Sequence, residues 1–290
     1  MALTVAFLGP AGTYTEEALL ASSPGEVDAV PCSTVHETVM AVQDGLTDRA
    51  VVPIENSLEG GVAATLDALA GEADGVRISA EVVHPIHHNL IAAAPLELSD
   101  VTRVLSHPQA TAQCGRFLRE GLADVELVPA TSTAEAVRTV RDSGEPWAAL
   151  GSRLSAKLYG CEVLAERVED RSDNLTRFVW LARAADVPPE VSGFAKTSVV
   201  FWGFNDASPG ALVEVLRELS DRDINLTKIE SRPRRVALGH YMFFADLDGH
   251  TREPHVAEAL DALGKRVETL RVLGSYPAWT EGSTAILPGP

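Results

Sequence analysis

Asp173-Asn174-Leu175-Thr176-Arg177-Phe178-Val179-Trp180-Leu181 places an amide, a hydroxyl and a guanidinium at the mouth of an apolar run. The run reads as a strand, and a strand behind polar groups holds them rigidly. Polar residues in that position are well placed to line a pocket. The stretch also closes a compositional region. Ala184-Ala185-Asp186-Val187-Pro188-Pro189-Glu190 follows as a linker, and a second unit begins near Lys196.

Asn174-Leu175-Thr176 and Asn225-Leu226-Thr227 are formally glycosylation sequons, which matter only in a secreted chain. The first 30 residues show no basic segment followed by a long apolar core and a small-residue cleavage site. No apolar run approaches the roughly 18 residues of a membrane span. A cytoplasmic protein with no membrane association is expected.

Upstream of the quoted stretch, short apolar strands alternate with amphipathic helices, the pattern of an α/β fold. Thr4-Val5-Ala6-Phe7-Leu8 runs into Gly9-Pro10-Ala11-Gly12-Thr13, and a helix begins near Tyr14. Ala50-Val51-Val52-Pro53-Ile54 runs into Glu55-Asn56-Ser57, then a Gly60-Gly61 turn and a helix through Leu66 and Leu69. Val101 to Leu105 leads to Ser106-His107-Pro108-Gln109 and a helix through Phe117 and Leu118. Ala148-Ala149-Leu150 leads to Gly151-Ser152 and a helix through Leu158. Each junction ends in small, hydroxyl or amide residues. Open α/β sheets bind ligands at such strand ends, and helix N-termini there favour anions. No Lys precedes Lys157, so an anion held by this part relies on N–H groups, hydroxyls and a few Arg.

Some of these signals are structural. Thr34-Val35-His36-Glu37 and Ser132-Thr133-Ala134-Glu135 fit the capping box. Gly9 and Gly12 lack the third glycine of a dinucleotide loop, and no G-x-x-x-x-G-K-[ST] sequence occurs. Glu55 is either a solvated turn residue or a carboxylate whose pKa is raised in a cleft, able to donate a proton.

The formal net charge of −17 over 290 residues argues against a nucleic-acid partner, though not against a small anion. Cys32, Cys114 and Cys161 have no paired spacing and read as reduced thiols. Cys32 precedes a helix start, where a thiolate would be stabilised, but no motif orders a His beside it. His84, His87 and His88 lack a Cys or carboxylate at ligand spacing and read as surface or helix-cap histidines rather than a metal site.

From Thr197 the order strand, helix, strand, strand, helix, strand predicts a ferredoxin-like βαββαβ unit. Its strands are read at Thr197 to Trp202, Ile224 to Ile229, His240 to Ala245 and Arg271 to Leu273. Its helices run from Pro209 to Ser220 and from Glu253 to Leu263.

Taken together the segments resemble prephenate dehydratase, in its monofunctional form, with a C-terminal ACT domain. The resemblance rests on Gly9-Pro10-Ala11-Gly12-Thr13-Tyr14-Thr15, Pro53-Ile54-Glu55-Asn56-Ser57, Ser106-His107-Pro108-Gln109 with Gln113-Cys114, and Asn174-Leu175-Thr176-Arg177-Phe178. In the second unit it rests on Gly210-Ala211-Leu212-Val213 and Glu230-Ser231-Arg232-Pro233. These occur in the family's order over nearly the whole chain.

The resemblance implies an α/β fold: a two-lobed catalytic domain like the type II periplasmic binding proteins, at residues 1–185. Lobe 1 is expected at about 1–76 and 172–185, and lobe 2 at about 77–171. The ACT domain is expected at 196–276, with a flexible tail at 277–290. The implied activity is conversion of prephenate to phenylpyruvate, with no cofactor and no metal; arogenate dehydratase and a non-catalytic amino-acid sensor are the alternatives. The resemblance makes Thr176 the donor at the leaving hydroxyl and Glu55 the proton source. It places Thr13, Asn56, Ser57, Ser106, Gln113, Arg177 and Phe178 at the substrate. Alternation along a strand leaves Arg177 either at the substrate, through an irregular backbone, or pointing away. Thr131 stands where some relatives carry a carboxylate, so no acid is assigned there. L-Phe is expected as an allosteric inhibitor at Gly210, Ala211, Leu212 and Asn225, in a homodimer or homotetramer. Truncation after Pro188 is expected to leave a catalytic domain that still makes phenylpyruvate but ignores L-Phe.

Overall fold

The computed structural model describes residues 2–187, 193–204 and 208–280. The chain opens with β1 (Leu3–Leu8), α1 (Tyr14–Ser22), β2 (Val27–Cys32), α2 (Val35–Gln43), β3 (Arg49–Asn56), β4 (Gly60–Gly61), α3 (Ala63–Ala70) and β5 (Val76–Pro85). A second group follows: β6 (Asn89–Ala92), β7 (Arg103–Ser106), α4 (Pro108–Gln113), α5 (Gly115–Gly121), β8 (Glu126–Pro129), α6 (Thr133–Ser143), β9 (Trp147–Gly151), α7 (Arg153–Tyr159) and β10 (Glu162–Ala165). The chain then returns as β11 (Leu175–Arg183) to the first sheet.

That sheet has the order β2-β1-β3-β11-β5, with β4 paired to β3. β1 runs parallel to β2 and β3, while β11 runs antiparallel to β3 and β5. The second lobe has its own sheet, β10-β6-β9-β7-β8. The expected lobe boundary at residue 77 needs correction. β5 carries Val76 to Pro85 along β11 inside lobe 1, so the first crossover is the short run from Ile86 to His88. β11 has an antiparallel neighbour on each side and is covered on both faces, and so reads as a continuous apolar run. Phe178, Val179, Trp180 and Leu181 are all buried.

Local signals place the helices. Thr34 and Ser132 accept from the backbone N–H of Glu37 and Glu135 at 3.1 and 3.0 Å, as the capping pattern predicts. Gly60-Gly61 is not a bare turn: it forms the short strand β4, with Gly61 opposite Glu55.

The last unit comprises β12 (Ala195–Trp202), α8 (Ala211–Ser220), β13 (Leu226–Pro233), β14 (Tyr241–Asp248), α9 (Pro254–Gly264) and β15 (Thr269–Pro277). Its antiparallel sheet has the order β13-β14-β12-β15, as a ferredoxin-like unit requires. One face packs under α8 and α9 through Val199, Phe201, Val215, Leu219, Val256 and Leu263. The other face does not meet solvent. Val200, Met242, Phe244, Leu273 and Tyr276 join one continuous core with Val76, Ile78, Val179 and Leu181 of lobe 1. Burial of each such side chain is worth about 1.5–3 kcal/mol. Gly274 permits the approach, because a Cβ there would collide with the Ile78 carbonyl.

This shared core bears on two expectations. A chain cut after Pro188 would lose the cover of that apolar face. The start of the expected tail is fixed: the N–H groups of Ala278 and Trp279 donate to the Phe194 carbonyl and to Glu81 at 2.9 and 2.8 Å. Residues 281–290 lie outside the described part of the chain. No described helix is long and apolar enough to cross a membrane.

Candidate active site

The lobes meet where β3, β11 and the crossover segments come together. Asn56, the last residue of β3, lies opposite Thr176 in the ladder. Its Nδ2 donates to Thr176 Oγ1 at 2.8 Å and to Asn174 Oδ1 at 2.8 Å. Its Oδ1 accepts from the backbone N–H of Leu58 and Glu59, which fixes the amide orientation. Asn174 Nδ2 donates to Gln113 Oε1 at 3.0 Å. His88 Nε2 lies 2.9 Å from the same oxygen, and its Nδ1 lies 2.8 Å from the Tyr14 hydroxyl. Because Gln113 Oε1 can only accept, the proton of neutral His88 sits on Nε2. A single network of neutral groups therefore runs from Thr176 through three amides to His88 and Tyr14, crossing from lobe 1 to lobe 2 and back.

Burial keeps this network neutral. It lowers the pKa of His88, against smaller raising effects from Gln113 and Glu169. It also raises that of Tyr14 well above the ordinary phenol value, with Glu17 adding to the effect. Sequence reasoning missed both as site residues, and His88 is buried rather than a surface or cap histidine. Neighbouring His87 pairs with Glu169 at 2.8 Å, and His84 lies 3.4 Å from Glu17. The signal present in the sequence was the spacing of three histidines beside Pro85; the partners came from distant segments.

The lobes also close against the first loop. Ser152 Oγ donates to the Gly12 carbonyl at 2.9 Å and the Tyr159 hydroxyl to the Ala11 carbonyl at 2.7 Å. Gly12 has φ +87°, and a Cβ there would lie 3.0 Å from Ser155 Cα. Only glycine suits that backbone and that approach.

Other expected site residues are placed differently. Glu55 needs correction as the proton source. It lies opposite Arg177, not Thr176, and its carboxylate pairs with Arg177 at 3.0 Å and Lys228 at 3.6 Å. It therefore points to the far face of the sheet, toward the ferredoxin-like unit. Arg177 also points away from the site, which decides between the two readings open for it. Phe178 does not line the site either: it is buried with Phe7, Leu19 and Trp180 in the core under α1. The Thr13 hydroxyl is committed to capping α1: it accepts from the Glu16 N–H and donates to the Leu8 carbonyl at 3.0 Å. Ser57 staples the crossover, accepting from the Leu175 N–H at 3.0 Å and donating to the Asp173 carbonyl. Ser106 donates to the Leu150 carbonyl at 3.1 Å, leaving only lone pairs, so it can hold a substrate donor but not a carboxylate. Asn56 contacts Thr176 directly, and Gln113 is linked to it through Asn174 and Asn56.

The cysteines offer no activated nucleophile: burial raises the pKa of Cys32, Cys114 and Cys161 alike. Cavity size does not locate the chemistry. A cavity of about 940 Å³ lies on lobe 2 between Arg103, Glu126, Arg138 and Trp147, remote from Thr176.

A two-lobed α/β domain with a hydroxyl set among neutral amides at the lobe junction, joined to a ferredoxin-like unit, defines a class of two-lobed proteins with a polar site between the lobes and an attached accessory module. Comparison with known proteins is specific about which. The family described as prephenate dehydratase matches residues 5–186, and the ACT domain family matches 205–265. The chain belongs to the prephenate dehydratase family. It is 44% identical over 287 residues to the prephenate dehydratase of Mycobacterium sp. (strain JLS), covering 95% of this chain and 89% of that protein. Among solved structures, the prephenate dehydratase of Arthrobacter aurescens in complex with L-Phe superposes with a TM-score of 0.88 at 40% identity, over 99% of this chain and 93% of that one. GqqA, described as a novel type of quorum quenching acylase, superposes with a TM-score of 0.84 at 35% identity, over 95% and 98%.

Proposed function

We propose that Thr176 supplies the hydrogen bond to the leaving hydroxyl in the decarboxylating dehydration of prephenate to phenylpyruvate, the family's reaction. One observation carries the assignment. Thr176 Oγ1 accepts from Asn56 Nδ2, while its own O–H has no protein acceptor among the described residues. A hydroxyl with one lone pair filled and its proton unspent is a preorganised donor. In the reaction the ring carboxylate leaves as carbon dioxide. The electrons of that C–C bond complete the aromatic ring, and the ring hydroxyl departs as water after taking up one proton. Thr176 polarises the departing oxygen; an alcohol is too weak an acid to be the final source of that proton. Asn56 fixes Thr176, and Asn174 and Gln113 fix Asn56, so the donor needs no reorganisation at the moment of reaction.

The test is formation of phenylpyruvate and carbon dioxide from prephenate by the full chain, with arogenate assayed as the alternative substrate. Product from prephenate that is lost in Thr176→Ala and partly kept in Thr176→Ser supports the role. Equal turnover in Thr176→Ala would remove it.

The second unit we assign to control by L-Phe. Gly210 takes φ +83° at the start of α8, a conformation suited to glycine. A Cβ there would meet nothing within 4 Å among the described residues, so the backbone of Ala211 and Leu212 is left open to approach by L-Phe. One N–H of Asn225 Nδ2 donates to Asp248 at 2.9 Å, which orients the amide and leaves Oδ1 to accept from an ammonium group. Residues Asn205, Asp206 and Ala207 of the expected ligand loop lie outside the described residues. β13 is an edge strand with Ile229 exposed, which supports pairing with a second copy and hence a homodimer or homotetramer. Calorimetric titration with L-Phe, combined with light scattering, tests both. Binding unaffected by Asn225→Ala, or a monomer that binds L-Phe fully, would count against them. A cytoplasmic location belongs to the same reading.

A further inference from the structure

Arg177 follows Thr176 on β11 and projects from the opposite face. It is buried, and its guanidinium reaches three carboxylates: Glu81 of β5 at 3.0 Å, Glu55 of β3 at 3.0 Å and Asp246 of β14 at 2.7 Å. The third belongs to the ferredoxin-like unit. Asp246 is itself held, since Ser198 Oγ donates to its Oδ1 at 2.6 Å and lies 2.6 Å from the Tyr276 hydroxyl. Glu81 is shared in the same way. Lys196 of β12 reaches it at 2.7 and 3.0 Å, and the Trp279 N–H donates to it at 2.8 Å. The guanidinium thus joins the strand that bears Thr176 to the middle of the second unit's sheet.

The β11–β3 register shifts between Arg177 and Phe178, with Ile54 the extra residue on β3, next to Glu55. β11 itself keeps register with β5 from Leu175 to Trp180. At a bulge the ladder is locally disrupted, so on the β3 side the Arg177–Glu55 contact adds a side-chain tie beside the Thr176–Asn56 pair.

We infer that Arg177 is a positioning residue through which the docked ferredoxin-like unit, by way of Asp246, aligns the Thr176 hydroxyl. This inference rests on the assignment of Thr176 as donor. It makes the second unit part of the catalytic architecture in the absence of any effector. It also gives a displacement of that unit a direct route to the reacting group. The coupling element is a buried ion pair with one partner in each unit.

The test uses the full chain and Asp246→Asn, which keeps size and the Ser198 contact but removes the charge facing Arg177. Turnover and KM for prephenate are measured in the wild-type and Thr176→Ala backgrounds, well below each variant's unfolding midpoint. In the wild-type background kcat should fall about 10- to 100-fold with KM nearly unchanged, the scale of a small misplacement of a reacting group. In the Thr176→Ala background the same substitution should cost little more, because the group it positions is gone. Arg177→Lys, which keeps charge but loses the fork, should fall between wild type and Asp246→Asn. An unchanged kcat in folded Asp246→Asn, or an equal fold-loss in both backgrounds, would show a purely structural contact and overturn the inference. Wild-type turnover in Thr176→Ala would instead sink the donor assignment itself, and the positioning role with it.

Discussion

The two faces of β11 are built from opposite materials. On one, Thr176 sits in a network of amides, an imidazole and a phenol, all neutral: Asn56, Asn174, Gln113, His88 and Tyr14. On the other, one residue along, Arg177 sits among Glu55, Glu81 and Asp246, with Lys196 and Lys228 completing the cluster. The difference follows from what each face must do. The Thr176 face works through hydrogen bonds between neutral groups, with the Glu169 and Glu59 carboxylates at its edge taken up by the His88 backbone N–H and by Gln113 Nε2. The docking face must hold two units in fixed register, and buried charges accept few alternative partners. Putting both on one strand lets a single backbone segment carry catalysis and docking.

The comparison breaks most severely at Thr176. Thr176→Ala is expected to lower kcat by about 10²–10⁴-fold with little change in unfolding midpoint. A parallel loss of stability would mean that the neutral face is mainly structural.

Arg177→Met should do the reverse. Removing the guanidinium leaves Glu81 and Asp246 buried without it, an expected loss of about 3–5 kcal/mol of stability, read by denaturant unfolding of the full chain. The Arg177 charge is well secured: burial opposes it, but Asp246, Tyr276, Glu81 and Glu55 outweigh that and raise its pKa. A variant as stable as wild type would show that the shared apolar core alone docks the second unit.

His88 sharpens the contrast through pH. Its folded-state pKa is depressed from 6.5, chiefly by burial. Below 6.5 the unfolded chain therefore takes up the proton first. The stabilisation is complete above 6.5 and is lost as pH falls toward the folded-state value. Wild type should lose more stability than His88→Gln between about pH 7 and pH 5. Parallel stability curves would place the acid sensitivity elsewhere.

Glu55→Gln is expected to have the smallest effect. Glu55 is more than a third exposed and shares Arg177 with two other carboxylates, so the stability change should be under about 1 kcal/mol. The acid limb of the rate–pH profile should survive, since this carboxylate faces away from Thr176. A flattened limb would return the proton-donor role to Glu55.

Much was legible in the chain. Strand–helix alternation, the capping pairs at Thr34 and Ser132, and the βαββαβ order depend on residues within one or two turns of each other, and all appear in the structure. Asn56, Gln113 and Thr176 were singled out only through the resemblance carried by their ordered motifs, and their mutual contacts are visible only in the structure. Glu55 and Phe178 were misplaced for different reasons. Glu55 adjoins Asn56, and in a strand the neighbour faces the other way. Phe178 lies on the Thr176 face but one step further into the strand, where that face is covered by Phe7, Leu19 and Trp180. The lobe boundary failed because β5 is a strand of either lobe by composition, and only its pairing with β11 assigns it.

The sequence by itself determined the elements, the order of the motifs and the alternation that separates Thr176 from Arg177, because these are local properties of backbone and side chain. Only the tertiary structure decided which face met which partner. Asp246, Lys196 and Trp279 lie far along the chain from Glu81 and Arg177, and nothing local marks them as neighbours. Their meeting depends on a second sheet offering one apolar face to its own helices and the other to lobe 1. Burial on that second face is what turns Arg177 from an exposed cation into a fixed joint.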